Sequence, residues 1–245
     1  MFNEEYRNKS FDLLSFIVFF CWLFLGASIF AIPMMYIGSI ASGLTLEEYI
    51  NNTTLINEHQ YIVAVIAHTV GTIVFTILYK SQVKEDAINF KSKWWKYIIL
   101  IIIGFGLLYI SNYIMSIIYE MLGLGNQTSQ NQQGIIEALH GSTVPFVIIF
   151  TVILAPIFEE IVFRKLFFTT LKKYTKLPTW AIVLIISSVF AFIHVTDFES
   201  LVFFPQYFVL ALIITSAYAI TKENLFVSTG LHFLNNVIAV LEILL

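Results

Sequence analysis

Two adjacent glutamates, Glu159 and Glu160, lie inside an apolar run over 145–171, and Arg164 follows close behind them. A carboxylate at bilayer depth costs about 2.5–3.5 kcal/mol, so two of them in a membrane helix indicate a function. Glu160 and Arg164 share a helix face at i and i+4 and can pair, whereas Glu159 is rotated by about 100° from Glu160. We therefore predict that Glu160 is structural and that Glu159 is available as a general base. The alternative is that both glutamates pair with cations on neighbouring helices.

Two histidines and an asparagine add polar groups to other apolar runs. His194 follows Phe190 by one helical turn, on the same face. From the helical rise, His194 lies about 24 Å above the start of its helix and Glu159 about 21 Å above the end of its own. Antiparallel neighbours can therefore place the two side chains at similar depth. His232 and Asn236, at i and i+4, can present N–H donors to a developing oxyanion. Hydrogen bonding between helices is the alternative role for these three side chains.

The composition places these residues in a membrane protein. The 245-residue chain is 58% hydrophobic and 12% charged, whereas a soluble domain carries about a quarter charged residues. We predict an all-α polytopic bundle of about seven transmembrane helices, whose last segment can also split, in one domain over 1–245. The predicted crossings lie near 12–36, 61–80, 97–120, 145–171, 179–196, 201–221 and 224–245.

The basic residues orient this bundle. All 13 Lys and Arg residues, including Arg7 and Lys9, fall on one side of a seven-crossing arrangement, and the loops opposite carry only acids. The positive-inside rule then places the N-terminus in the cytoplasm. The first apolar run lacks a small-residue cleavage site at the usual place, so we expect a retained anchor. The polar link 122–144 is expected to be a mobile external loop, either a gate over the fourth helix or a plain connector.

Three short motifs resemble those of the CAAX-protease and bacteriocin-processing (CPBP, or Abi) intramembrane proteases. The stretch EEIVFR at 159–164 is similar to the EExxxR motif, FAFIH at 190–194 resembles FxxxH, and HFLNN at 232–236 resembles HxxxN. The three occur in order, each on a separate predicted crossing. This resemblance makes the region from about 145 to 245 the predicted catalytic core.

The resemblance implies a role for each motif residue. Glu159 and His194 would activate the attacking water, and His232 and Asn236 would stabilise the tetrahedral oxyanion. The supporting residues would be Glu160, Arg164 and Phe190.

The family is often called a metalloprotease, which leaves two forms of the site open. Glu159, His194 and His232 could hold Zn²⁺ with an open fourth position. A metal-free site with Glu159 as the base fits the same residues, and this is the form that we expect.

The resemblance predicts an intramembrane endopeptidase that hydrolyses a bond in a small peptide or a membrane-anchored protein. Eukaryotic relatives cut prenylated CAAX proteins, and bacterial relatives are associated with bacteriocins and peptide pheromones. The abundance of Ile, Lys, Asn and Phe favours a multi-pass protein of a bacterial plasma membrane, with the lipid bilayer as a partner and no nucleic acid. Two other functions stay open, a non-catalytic immunity or scaffold protein and a proton-coupled transporter that uses the buried carboxylate.

Overall fold

The fold is built from helices. The structure, a computed structural model, describes residues 9–195 and 197–245. It is 87% helical and has no strands in these ranges, which confirms the predicted all-α class. The α-helices of the described chain are α1 Lys9–Cys21, α2 Ala27–Ser42, α3 Leu46–Asn51, α4 Thr53–Leu78, α5 Lys80–Ser92, α6 Trp94–Met121, α7 Gln130–Leu139, α8 Val144–Ile148, α9 Ala155–Glu160, α10 Thr169–Tyr174, α11 Thr179–Ile193, α12 Phe204–Ile220 and α13 Leu225–Leu244.

Six helical stretches in the described ranges are long and apolar enough to cross a membrane: Ser10–Ser42, Thr53–Leu78, Trp94–Met121, Val144–Tyr174, Glu199–Ile220 and Leu225–Leu244. The remaining predicted crossing corresponds to α11, which has only 15 residues. At 1.5 Å per residue it spans about 22 Å, less than the roughly 30 Å hydrocarbon core. The last crossing is one continuous helix, so the expected option of a split there is wrong.

The fourth crossing carries the two glutamates and changes helical form on both sides of them. A π-helical turn, Ile149–Leu154, leads into α9, and a second π-helical segment, Ile161–Phe168, follows it. Pro156, at the start of α9, has no N–H to give the preceding turn, which accounts for a widened backbone there. Such π-bulges inside α-helices often occur at functional sites. π-helical segments therefore flank the turn that carries the two glutamates.

Charged side chains separate toward two ends of the bundle. At one end, Lys173 donates to Asp12 over 3.0 Å and Lys172 pairs with Glu223. At the other end, Glu48 closes a capping box with Thr45. The orientation relative to the cytoplasm stays a prediction, and Arg7 and the side chain of Lys9, which contribute to it, lie outside the described residues.

The start of α13 is anchored at the basic end by a buried aspartate. Asp86 of α5 accepts a hydrogen bond from the Leu225 N–H (2.9 Å) and pairs with Lys165 (2.5 Å). Asn224 caps α13 and donates to the carbonyl of Asp86 over 2.8 Å. Burial raises the pKa of Asp86, and the Lys165 ammonium acts against that shift. These contacts fix the position of the helix that carries His232 and Asn236.

The link 122–144 is partly helical, so the prediction of a mobile loop is wrong for its second half. Ser129 caps α7 by accepting from the Gln132 N–H, and its hydroxyl lies 2.6 Å from that of Tyr207 on α12. The Tyr61 hydroxyl donates to the Gly134 carbonyl over 3.1 Å, and Leu139 is buried. The Gln- and Asn-rich composition of this segment did not predict a helix. Its apolar residues pack α7 against the bundle.

Candidate functional site

A cavity of about 600 Å³ lies between the fourth crossing and helices α6, α7, α12 and α13. Its volume is within the usual range for small-ligand sites, about 300–1,000 Å³. All four side chains predicted to carry the chemistry line it: Glu159, His194, His232 and Asn236. The structure therefore brings together three motifs that lie on three separate helices.

Glu160 and Arg164 form a buried pair behind this cavity. Nε of Arg164 donates to Oε2 of Glu160 over 2.8 Å, and a second guanidinium nitrogen donates to Oε1 over 3.0 Å. Both side chains have no exposed surface. The predicted i, i+4 pairing is present, and its two-bond geometry offsets part of the cost of burying both charges.

His232 lies between the two glutamates, a position that the sequence analysis did not foresee. Its Nδ1 is 3.2 Å from Oε1 of Glu160, and its Nε2 is 3.8 Å from Oε2 of Glu159. Because an ionised carboxylate only accepts, Nδ1 carries the proton in the bond to Glu160. Any hydrogen bond that Nε2 donates to a substrate oxygen therefore needs a second proton on the ring.

The carboxylate of Glu159 has fewer hydrogen-bond partners in the described structure than that of Glu160. Its Oε2 has no hydrogen-bond partner among the described residues, although the side chain is 21% exposed. Its ion-pair contact in this part of the chain is with His232, not with Lys or Arg. The alternative in which both glutamates pair with cations on neighbouring helices is met only through His232 of α13, which contacts both of them and is a cation when its ring is protonated.

His194 lies at the C-terminal end of α11 with a fixed ring orientation. Its Nδ1 donates to the Phe190 carbonyl over 2.8 Å, which leaves Nε2 of the neutral ring as an acceptor. The ring is stacked against Phe190 (centroids 4.4 Å apart) and against Tyr207 (5.1 Å). Tyr207 is a cavity residue that the motifs do not include.

Phe190 packs at the centre of this group, in agreement with its predicted supporting position. Its ring meets that of His232 edge-on at 5.7 Å and lies 6.0 Å from the Arg164 guanidinium carbon. It therefore separates the buried ion pair from the ring of His194.

A chain of amides holds Asn236. Its Nδ2 donates to the Thr151 carbonyl over 2.8 Å, and its Oδ1 accepts from Asn235 over 3.2 Å. Asn235 in turn accepts from Asn112 of α6 over 3.4 Å. An amide nitrogen has two N–H groups, so one remains for a ligand in the cavity. An amide side chain in the apolar helix α6 was the available signal for Asn112.

The zinc alternative lacks a ligand set in this structure. Within 9–195 and 197–245, no three His, Cys, Asp or Glu side chains are placed to share a metal ion. Nδ1 of His232 contacts Glu160 and Nδ1 of His194 donates to a backbone carbonyl, so these contacts leave Nε2 of each ring open, as in metal-bound histidines. The trio Glu159, His194 and His232 is nevertheless not placed as a ligand set in the described residues, and we route no chemical step through a metal.

Comparison with known proteins agrees with the motifs. A family model described as "Type II CAAX prenyl endopeptidase Rce1-like" matches residues 141–238, which include every motif residue. The matched segment is therefore similar to CAAX-type membrane proteases. Together with the apolar helices, the match supports a multi-pass membrane protein. Asn112 lies outside the matched segment.

Two curated relatives with membrane-protease or peptidase names are similar to this chain. The chain is 35% identical over 146 residues to the "Membrane-embedded CAAX protease MroQ" of Staphylococcus aureus (strain USA300), covering 58% of this chain and 56% of the relative. It is 33% identical over 126 residues to the "Putative membrane peptidase YdiL" of Bacillus subtilis (strain 168), covering 51% and 48%. The similarity thus spans about half the length of each relative. No solved structure matches the chain significantly.

Proposed function

We propose that this protein is an intramembrane endopeptidase of the CAAX-protease and Abi type. The observation that carries the proposal is the Glu159 carboxylate, which has an oxygen without a hydrogen-bond partner in the described structure and lines one cavity with both motif histidines. A carboxylate that nothing else satisfies is available to take a proton from water. The family match and the names of both relatives support peptide hydrolysis as the reaction.

The chemistry follows from the position of each group. Glu159 takes a proton from a water molecule that Nε2 of His194 orients, and the water oxygen attacks the carbonyl carbon of the substrate. The free N–H of Asn236 and a protonated Nε2 of His232 stabilise the oxyanion. The carbon–nitrogen bond then breaks, and the proton held by Glu159 passes to the leaving amine. The products are a carboxyl group and an amine, so one water is consumed per bond.

This scheme works without a metal ion. The Arg164 charge is used to hold Glu160, and Glu160 in turn fixes the ring of His232. In this scheme the N–H donors of Asn236 and His232 stabilise the oxyanion. No step of the scheme uses a Lewis acid.

The cavity also favours a class of substrate. Its lining residues within the described chain include no Lys or Arg, whereas Glu159 and Glu242 contribute carboxylates. The cavity is bounded by α7 and by the end of α11, at the end of the bundle opposite the basic residues. By the positive-inside rule this is the non-cytoplasmic side. We therefore propose a small or membrane-anchored peptide that is neutral or basic near the cleaved bond.

Comparative peptidomics of membranes tests the proposal. Cells that make the wild-type protein should contain cleavage products that are missing with Glu159→Gln, while protein level and topology stay unchanged. Glu137→Gln is the matched control, because Glu137 is a glutamate of the same side that does not line the cavity. A non-catalytic scaffold predicts identical peptidomes for all three proteins. A transporter predicts flux into sealed vesicles with no new peptide.

A further inference from the structure

Thr151 has a buried hydroxyl that the structure leaves without a partner. The residue is 8% exposed, and its Oγ1 has no hydrogen-bond partner among the described residues. Other helical threonines of this chain donate to a carbonyl of the preceding turn, among them Thr69 and Thr215. Burying a hydroxyl without such a bond costs free energy. A ligand can satisfy such a hydroxyl where its residue lines a binding cavity.

The position of Thr151 puts this residue in the wall of the cavity. Thr151, Ala155 and Glu159 follow one another at four-residue spacing along the fourth crossing, and all three line the cavity. The carbonyl of Thr151 accepts the hydrogen bond from Asn236 over 2.8 Å. The hydroxyl therefore belongs to the residue that holds the proposed oxyanion donor, on the same wall as the proposed base.

The local helix form is consistent with such a role. Thr151 lies within the π-helical turn Ile149–Leu154, where the regular α-helical bonding pattern is interrupted. Asn236 reaches the Thr151 carbonyl from α13. Ala155 lies between Thr151 and Glu159 in the sequence and also lines the cavity. Its side chain is small, so no large side chain occupies this part of the wall.

We propose that the Thr151 hydroxyl donates a hydrogen bond to the substrate carbonyl oxygen under attack, beside the N–H of Asn236. This inference rests on the proposed endopeptidase function. It adds a third donor, outside the three motifs, that binds the oxyanion. A hydrogen bond that strengthens as the oxygen becomes negative stabilises the transition state more than the bound substrate, so it lowers the activation barrier.

The test uses three variants of the full chain in detergent or proteoliposomes. Thr151→Val removes the hydroxyl and keeps the shape, whereas Thr151→Ser keeps the hydroxyl. Thr72→Val is the matched control, because the Thr72 hydroxyl is also buried and unpartnered in the described structure but does not line the cavity. The probe is an internally quenched peptide, selected from a randomised library because the wild type cleaves it and Glu159→Gln does not.

Thr151→Val should lower kcat by about ten- to a hundredfold with little change in KM, as expected for a lost oxyanion donor. Thr151→Ser should recover most of that loss, and Thr72→Val should keep wild-type kcat. Wild-type kcat in Thr151→Val would overturn the inference, and so would a loss that Ser does not rescue or that appears only in KM. If no library peptide is cleaved in a Glu159-dependent way, the proposed function fails and the inference fails with it.

Discussion

The Nδ1 atom of His232 lies 3.2 Å from Oε1 of Glu160, and this contact links the structural and chemical parts of the site. Arg164 holds Glu160 through two hydrogen bonds, and Glu160 orients the histidine. The other ring nitrogen then faces Glu159, at 3.8 Å. Glu159 and Glu160 thus contact the two ring nitrogens of one histidine, His232. In the part of the chain described, only Glu160 is also paired with an arginine, Arg164.

Breaking the buried ion pair should destabilise the protein more than removing the proposed base. Glu160→Gln leaves the Arg164 charge buried without its carboxylate, which costs about 3–5 kcal/mol of folding free energy. Glu159→Gln removes a charge that has no cationic Lys or Arg partner in the described structure, and it should change stability much less. Unfolding of both variants in detergent, followed by heating or by SDS titration, measures the difference. Equal stability of the two variants would contradict the assigned roles.

The Ser129 cap should control the order of helix α7. Ser129→Ala removes the side chain that accepts from the Gln132 N–H and contacts the Tyr207 hydroxyl. Loss of such a cap costs about 1 kcal/mol. Amide hydrogen exchange across 130–139 should therefore rise about fivefold, and Ser129→Asn, which also caps helices, should limit the rise. Unchanged exchange in Ser129→Ala would show that the helix is held by its apolar contacts alone.

Substrate charge should affect cleavage in a defined direction. Peptides with lysine beside the cleaved bond should have kcat/KM about two- to fivefold higher than the same peptides with glutamate, from a partly screened attraction of about 0.5–1 kcal/mol. Glu242→Lys should weaken or invert this preference, because Glu242 lines the cavity. Glu137→Lys, which changes a glutamate outside the cavity lining, provides the control. A wild-type preference for acidic peptides would contradict the proposed substrate class.

The reaction should withstand metal removal. The described chain offers no three-ligand set for a metal ion, so purified protein treated with EDTA or 1,10-phenanthroline should retain its peptide cleavage rate. Metal analysis of the same sample should find well below one equivalent per chain. Activity that is lost with chelator and restored by added Zn²⁺ would refute the metal-free scheme.

Much of the fold was predictable from the sequence, because hydropathy carries the information on the number and position of the crossings. The pairing of Glu160 with Arg164 was also predictable, since both lie on one helix at a fixed spacing. The position of His232 between the glutamates was not, because it depends on how α13 packs against the fourth crossing. That packing rests partly on Asp86 and its bond to the start of α13.

Two further features escaped the sequence analysis for local reasons. Helix α7 is rich in Gln and Asn, so its composition resembles a linker, and its Ser129 cap shows only in the structure. Thr151 is an ordinary residue for an apolar helix, and its missing hydrogen bond is visible only from the coordinates of its neighbours.

The most direct test of the account is the hydrolysis of a defined peptide by purified protein in proteoliposomes. The wild type and Glu137→Gln should cleave the library-selected probe at similar rates, while Glu159→Gln stays folded and loses at least about a hundredfold in kcat, as expected for a missing general base. Cleavage of that probe by folded Glu159→Gln at the wild-type rate would contradict the central claim that Glu159 activates the water.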